Sequence, residues 1–136
     1  MTATFPVEIV SAARMVWEGE AIQLTATTVQ GEIGIQAGHI PLIATLAPGM
    51  AEVVASDGHR QVIAVDGGFV SVSSTGTAII SPYAELAAGY DVEQARRNLQ
   101  ELRKKRQDGD NSTGTTTAYL RALSQVKAAD RSKNKP

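Results

Sequence analysis

Few side chains in this 136-residue chain are equipped for chemistry, and their spacing limits what they can do. There is no cysteine, which excludes disulfides, thiolate nucleophiles and thiolate metal sites. The two histidines, His39 and His59, stand at neither helical nor strand spacing for a shared ion, so no metal site is expected. His59 lies beside Asp57-Gly58 and reads as a surface residue. Serine and threonine are plentiful, but none sits in a G-x-S-x-G elbow, and no G-x-x-x-x-G-K-(S/T) phosphate loop is present. Gly67-Gly68 reads as a turn packed on backbone before Phe69, not as a phosphate cradle.

One stretch brings a carboxylate and an imidazole together: Gly31-Glu32-Ile33-Gly34-Ile35-Gln36-Ala37-Gly38-His39-Ile40-Pro41. Gly34 and Gly38 open backbone angles closed to other residues. Pro41 fixes its own φ and biases Ile40 towards an extended form. The expectation is a tight loop between two strands, with Glu32 and His39 near its ends. By residue type these are either a solvated carboxylate and a turn histidine or contact residues presented to a partner by a rigid frame. A small enzyme using both is a third reading, but no motif supplies its pocket.

Charge is split along the chain. Residues 1–90 carry two basic and eight acidic residues, net −6, whereas residues 91–136 carry eleven basic and six acidic, net +5. Such asymmetry points to two parts with different partners. Arg96, Arg97, Arg103, Lys104, Lys105 and Arg106 form a basic run. It reads as a solvated helix face, as a nucleic-acid contact with steep salt dependence, or as a contact for an acidic protein surface. The acidic first ninety residues offer no continuous basic face, which argues against the alternative of a small nucleic-acid-binding module.

The elements follow from periodicity. Phe5, Val7 and Ile9 alternate with their neighbours, and Ile22, Leu24, Ala26 and Thr28 do the same, as in half-buried strands. Further strands are expected at 32–36, 42–47, 50–56, 60–66, 68–73 and 77–81, with breaks at Ala47-Pro48-Gly49, Asp57-Gly58 and Gly67-Gly68. Asp57-Gly58 signals a hairpin. Pro82 to Tyr90 reads as a linker. A helix begins at Asp91, a cap with Gln94 at the reciprocal capping-box position. Its stripe is Val92, Ala95, Leu99 and Leu102. After the polar loop 107–114, a second helix starts near Thr115 or Thr116 with the stripe Tyr119, Ala122, Leu123 and Val126, and the chain frays from Asp130. The fold class is an all-β sandwich, antiparallel, of about eight to ten short strands, followed by a C-terminal α-helical hairpin. Residues 1–84 form the sandwich and residues 85–136 the helical part. No run approaches the roughly 20 apolar residues that span a bilayer, and the first residues lack a secretory pattern.

The stretch GEIGIQAGHIPLIATLAPGM resembles a signature of the epsilon subunit of bacterial F-type ATP synthases. VEIVSAARMVWEGEA near the start and Val65-Asp66-Gly67-Gly68-Phe69-Val70 also agree with that family, and the likeness runs from about Phe5 to Ala129. The resemblance implies a non-catalytic rotor subunit that couples ring rotation to the central shaft in proton-driven ATP synthesis. It implies a gamma subunit and a c-ring as partners of the sandwich, with Glu32, Gly38 and His39 meeting the ring. It implies that the C-terminal helices restrain ATP hydrolysis by approaching the alpha and beta catalytic subunits, here through Arg103, Lys104, Lys105 and Arg121. No nucleic acid is implied, and the place is the cytoplasmic face of the bacterial cell membrane, held there peripherally by the complex. Some members bind ATP through an (I/L)-D-x-x-R-A motif. Tyr90-Asp91-Val92-Glu93-Gln94-Ala95 keeps Asp91 and Ala95, but neutral Gln94 replaces the arginine and cannot pair with phosphate as a guanidinium does. Glu85 fits an upstream acidic position and Arg97 is the substitute cation. The resemblance thus leaves a degenerate ATP site at Glu85, Asp91 and Arg97, and no cofactor is expected.

Overall fold

Eight strands and two long helices account for most of residues 3–133, the part described by this computed structural model. The strands are β1 (Phe5–Ser11), β2 (Met15–Thr28), β3 (Gly31–Ile35), β4 (Leu42–Ala55), β5 (Arg60–Val65), β6 (Phe69–Ser73), β7 (Gly76–Ser81) and β8 (Ala84–Leu86). A short 3-10 turn, Ala87–Gly89, leads to α1 (Val92–Gln107) and α2 (Thr113–Lys133).

Two strands of 14 residues each, β2 and β4, build both layers. The first half of β2 pairs with β1, and the first half of β4 pairs with β6. Their second halves pair with each other, with β3 on one flank and β5 on the other. One layer therefore runs β2-β1-β7-β6-β4 and the other β3-β2-β4-β5-β8. A strand that changes layers must bend, which is how sandwiches make corners. The bends fall at register shifts between Ala21 and Gln23 and between Ala26 and Thr28, and opposite them at Ala47-Pro48-Gly49. Gly49 is needed there, because a Cβ would come within 2.9 Å of the Thr27 hydroxyl.

Period-2 alternation fills the space between the layers. Ile9, Leu24, Ile35, Ile63 and Ile79 are fully buried, each contributing about 1.5–3 kcal/mol relative to exposure. All residues of this main core lie between Phe5 and Ala84, so it owes nothing to the helices.

Four expectations need correction. The sheet is not purely antiparallel: β1 and β7 run parallel, with Val7 opposite Thr77 and Ile9 opposite Ile79. The strands expected at 42–47 and 50–56 are one, because Pro48 sits at a corner where its missing N–H is tolerated. The expected linker 82–90 contains β8, which pairs Ala84 with Val65 and Leu86 with Ile63. Finally, Asp130 does not begin a frayed tail, since α2 continues to Lys133. Residues 134–136 lie outside the described part.

The helix signals are local and mostly hold. Asp91 Oδ1 accepts from the Gln94 backbone N–H at 3.1 Å, capping α1. The reciprocal half of the capping box is absent, because the Gln94 amide donates to Asn98 instead. On α2 the fully enclosed residues are Ala122, Ser124, Ala128 and Ala129, while Tyr119, Leu123 and Val126 are half-buried. The helix has two contact faces. Tyr119 and Ala122 face α1 within the hairpin, and the small side chain of Ala128 lets the backbone approach the sheet. Ala128 packs with Met50, Val62 and Ala64 in a second, smaller core.

Candidate functional site

The two outer faces of the sandwich differ, and that difference organises the surface. On the β3-β2-β4-β5-β8 layer, outward residues of β4 and β5 are covered by α2. The other layer is bare. Cross-strand register lines up Met15, Val10, Ile80, Phe69 and Thr45 in one row, and Glu18, Glu8, Ala78, Ser71 and Ile43 in the next. Ile43 is 76% exposed, Ile80 44% and Phe69 39%. Ala78, Ser71 and Ser73 are small, leaving a groove of about 540 Å³ rimmed by Glu8, Glu18 and Glu20. A contiguous apolar surface with a polar rim is characteristic of a protein contact. Sequence reasoning missed these residues. Leu42-Ile43-Ala44 is apolar on both phases of its strand, so alternation could not show which side faces out.

Glu32, Gly38 and His39 do not form one loop site. Glu32 lies on β3 opposite Thr27, and the loop starts only at Gln36. Three strand residues, Ile33, Gly34 and Ile35, lie between the two, and the four residue steps span roughly 13 Å at the usual rise. Gly34 is an ordinary strand residue, whereas Gly38 adopts φ +84° in a turn closed by the His39 N–H donating to the Gln36 carbonyl at 3.1 Å. That is the glycine position of a type II turn. His39 Nδ1 lies 2.8 Å from the Ile40 carbonyl, so this nitrogen carries the proton. Gly38 and His39 line a shallow groove with Thr4, Phe5 and Ser73, away from Glu32. Glu32 instead meets Arg131 of α2, with Nη1 at 3.3 Å from both carboxylate oxygens.

Around Arg131 the hairpin is ion-paired to the sandwich. Its Nη2 lies 2.9 Å from Glu52 Oε1, and Arg60 holds the other oxygen of the same carboxylate. The Glu52 carboxylate beside it makes the Arg131 guanidinium harder still to deprotonate. Arg60 also donates to the Arg131 carbonyl at 2.6 Å and to the Ser132 carbonyl at 3.3 Å, a cation on the last carbonyls of a helix. A second polar seam joins Tyr83, Glu85, Tyr90 and Gln125. Tyr83 donates to Glu85 at 2.7 Å and accepts from the Gln125 amide at 2.8 Å, and Tyr90 donates to the Gln125 carbonyl at 2.6 Å. Burial raises the pKa of both phenols.

The residues of the degenerate nucleotide motif are thus engaged locally. Glu85 holds Tyr83, Asp91 caps α1, and exposed Arg97 donates to Gln94 Oε1 at 2.9 Å. Of the basic run, Arg96 pairs with Asp130 across the hairpin at 2.7 Å, and Arg106 lies 4.3 Å over the Tyr119 ring. Arg103, Lys104 and Lys105 are exposed on the last turns of α1. Arg121 stacks on Tyr83 at 4.5 Å, and it shares with Lys105 a groove between the helices. No helix among the described residues is long and apolar enough to cross a membrane.

Residues 4–87 match the family model described as ATP synthase, Delta/Epsilon chain, beta-sandwich domain. The ATP synthase epsilon chain of Cutibacterium acnes is 43% identical over 107 residues, covering 78% of this chain and 73% of that one. That of Streptomyces avermitilis is 40% identical over 128 residues, covering 94% and 97%. Among solved structures, a chain of the Euglena gracilis mitochondrial ATP synthase, determined with OSCP, F1 and c-ring, superposes with a TM-score of 0.76. It is 22% identical, with 98% of this chain and 84% of that chain covered, a likeness of fold. With the β-sandwich matched throughout and bacterial relatives aligned into the hairpin, the chain belongs to the ATP synthase epsilon-chain family, whose members are non-catalytic subunits of that complex.

Proposed function

We propose that this chain is a rotor subunit of an F-type ATP synthase, in which the sandwich joins the shaft to the ring and the hairpin restrains hydrolysis. The observation that carries this reading is the bare outer face of the β2-β1-β7-β6-β4 layer. Ile43, Phe69 and Ile80 stay exposed there although the main core is complete without them. That surface suits the foot of a gamma-type coiled coil, whose apolar ridge would cover the row while its flanks meet Glu8, Glu18 and Glu20. Gly38 and His39 at one end of β3, and Glu32 on the strand, are the residues for the c-ring. Exposed Arg103, Lys104 and Lys105 are those for an acidic surface of the catalytic subunits, with Arg121 available once it leaves Tyr83. The work is mechanical, and its place is the cytoplasmic face of the cell membrane, held by the complex.

No nucleotide is needed to dock the hairpin in this reading. Tyr83, Tyr90 and Gln125 already satisfy one another across the helix–sheet seam, and Gln94 supplies no charge for phosphate. Calorimetry with ATP on the isolated chain should show no tight binding, and tight binding would refute this part.

The central test is co-purification with a gamma-type subunit, followed by hydrolysis measurements on the assembled complex. A stable pair, with hydrolysis rising when residues 91–136 are deleted, supports both roles. Failure to pair would remove the rotor reading, and unchanged hydrolysis would remove the brake.

A further inference from the structure

We infer that Arg131 tethers the hairpin by a carboxylate that the complex also needs, so that a partner engaging Glu32 loosens the end of α2. The second clause rests on the rotor reading above; the tether itself does not.

Among the polar contacts described between α2 and the sandwich, those of Arg131 alone reach β3. Gln125 meets Tyr83, and Lys127 reaches the Pro48 carbonyl at 3.5 Å. The Arg131 guanidinium spans two carboxylates of different character. Glu52 is nearly enclosed, its side chain 11% exposed, and is also paired with Arg60 of the sandwich. Glu32 is 52% exposed on the outer side of β3, open to solvent beyond Arg131. One carboxylate is therefore a fixed socket and the other a shared one.

The consequence is competition. A cation or amide donor brought by a partner to Glu32 must share that carboxylate with Arg131 or displace it. Displacement removes one of the two anchors at the C-terminal end of α2, where Arg60 also holds the final carbonyls. By linkage, docking of the hairpin must weaken the partner's hold on Glu32 by the same factor. The adjacent small core, Ala128 against Met50, Val62 and Ala64, is apolar and answers to no charge. The electrostatic adjustment thus falls on Arg131.

The test is hydrogen exchange at the α2 amides of the full chain. For Arg131→Ala, amides from Leu123 to Ala129 should exchange about tenfold faster, the loss expected of a charged hydrogen-bonded pair, while those of β1 and β5 keep their protection. Arg131→Lys should restore part of the protection, and Glu32→Gln should give a smaller loss because Glu52 remains. Unchanged α2 protection in Arg131→Ala would overturn the tether. In the assembled complex, exchange at the end of α2 should rise above that of the isolated wild-type chain, with no further rise in Glu32→Gln and a further rise in Arg131→Ala, which also removes the Glu52 pair. Assembly that leaves it unchanged would overturn the competition with the tether intact. A chain that does not assemble would instead refute the rotor reading and the competition with it.

Discussion

The side-chain amide of Gln125 donates to the Tyr83 hydroxyl at 2.8 Å, a contact between residues 42 positions apart that joins helix to sheet. Tyr90 adds a bond to the Gln125 carbonyl. Burial raises both phenol pKa values. A raised folded-state pKa means the docked form is fully favoured below the ordinary phenol pKa of about 10, and that advantage is lost as pH rises through the folded value. An ultraviolet titration should therefore show two late-ionising phenols. Tyr83→Phe and Tyr90→Phe should each remove one, and each should weaken docking by about 1 kcal/mol. Early titration of both in the wild type would refute the seam.

Ile43 separates binding from stability. Its side chain is 76% exposed, so Ile43→Glu should change the unfolding free energy of the isolated chain by no more than about 0.5 kcal/mol. On the rotor reading it should weaken pairing with a gamma-type subunit at least about tenfold, since a carboxylate would be buried among apolar residues. Equal affinity of variant and wild type would place the contact elsewhere.

Gly68 and Gly58 make a matched pair. Both have φ +91°, but a Cβ at Gly68 would lie 2.0 Å from the Ile80 carbonyl oxygen, whereas one at Gly58 meets nothing within 4 Å. Gly58→Ala should cost about 1 kcal/mol of backbone strain. Gly68→Ala should cost well over about 2 kcal/mol, because the β6–β7 ladder would have to move. Denaturant melts would rank them, and similar midpoints would contradict the packing at Gly68.

The exposed pair His59 and Asp57 provides a pH reporter. Asp57 Oδ2 lies 2.9 Å from His59 Nδ1, which raises the histidine pKa and lowers that of the aspartate. The small stabilisation from His59 is present below its ordinary value of 6.5 and lost as pH rises through the raised one. An NMR titration should give a midpoint above 6.5, returning towards it in Asp57→Asn. Identical midpoints would mean the pair does not form in solution.

Much of this architecture is local in origin and could be read from the chain. The alternation at Phe5, Val7 and Ile9 names the buried face because the strand pleat has period 2. Asp91 caps α1 through a residue three places away, and Asp57-Gly58 turns β4 into β5 within its own backbone. The motifs around Gly38, Pro41 and Gly68 identify the family from short segments. The tertiary structure alone decided the parallel pairing of β1 with β7, the passage of β4 through Pro48, and which sheet face stays bare. It also decided that Arg131, in a stretch that reads as frayed, meets a carboxylate 79 residues earlier. An isolated helix end frays because its last carbonyls have no partners. Here Arg60 supplies them and Glu52 holds the guanidinium, an arrangement that exists only after the sheet has brought distant residues side by side.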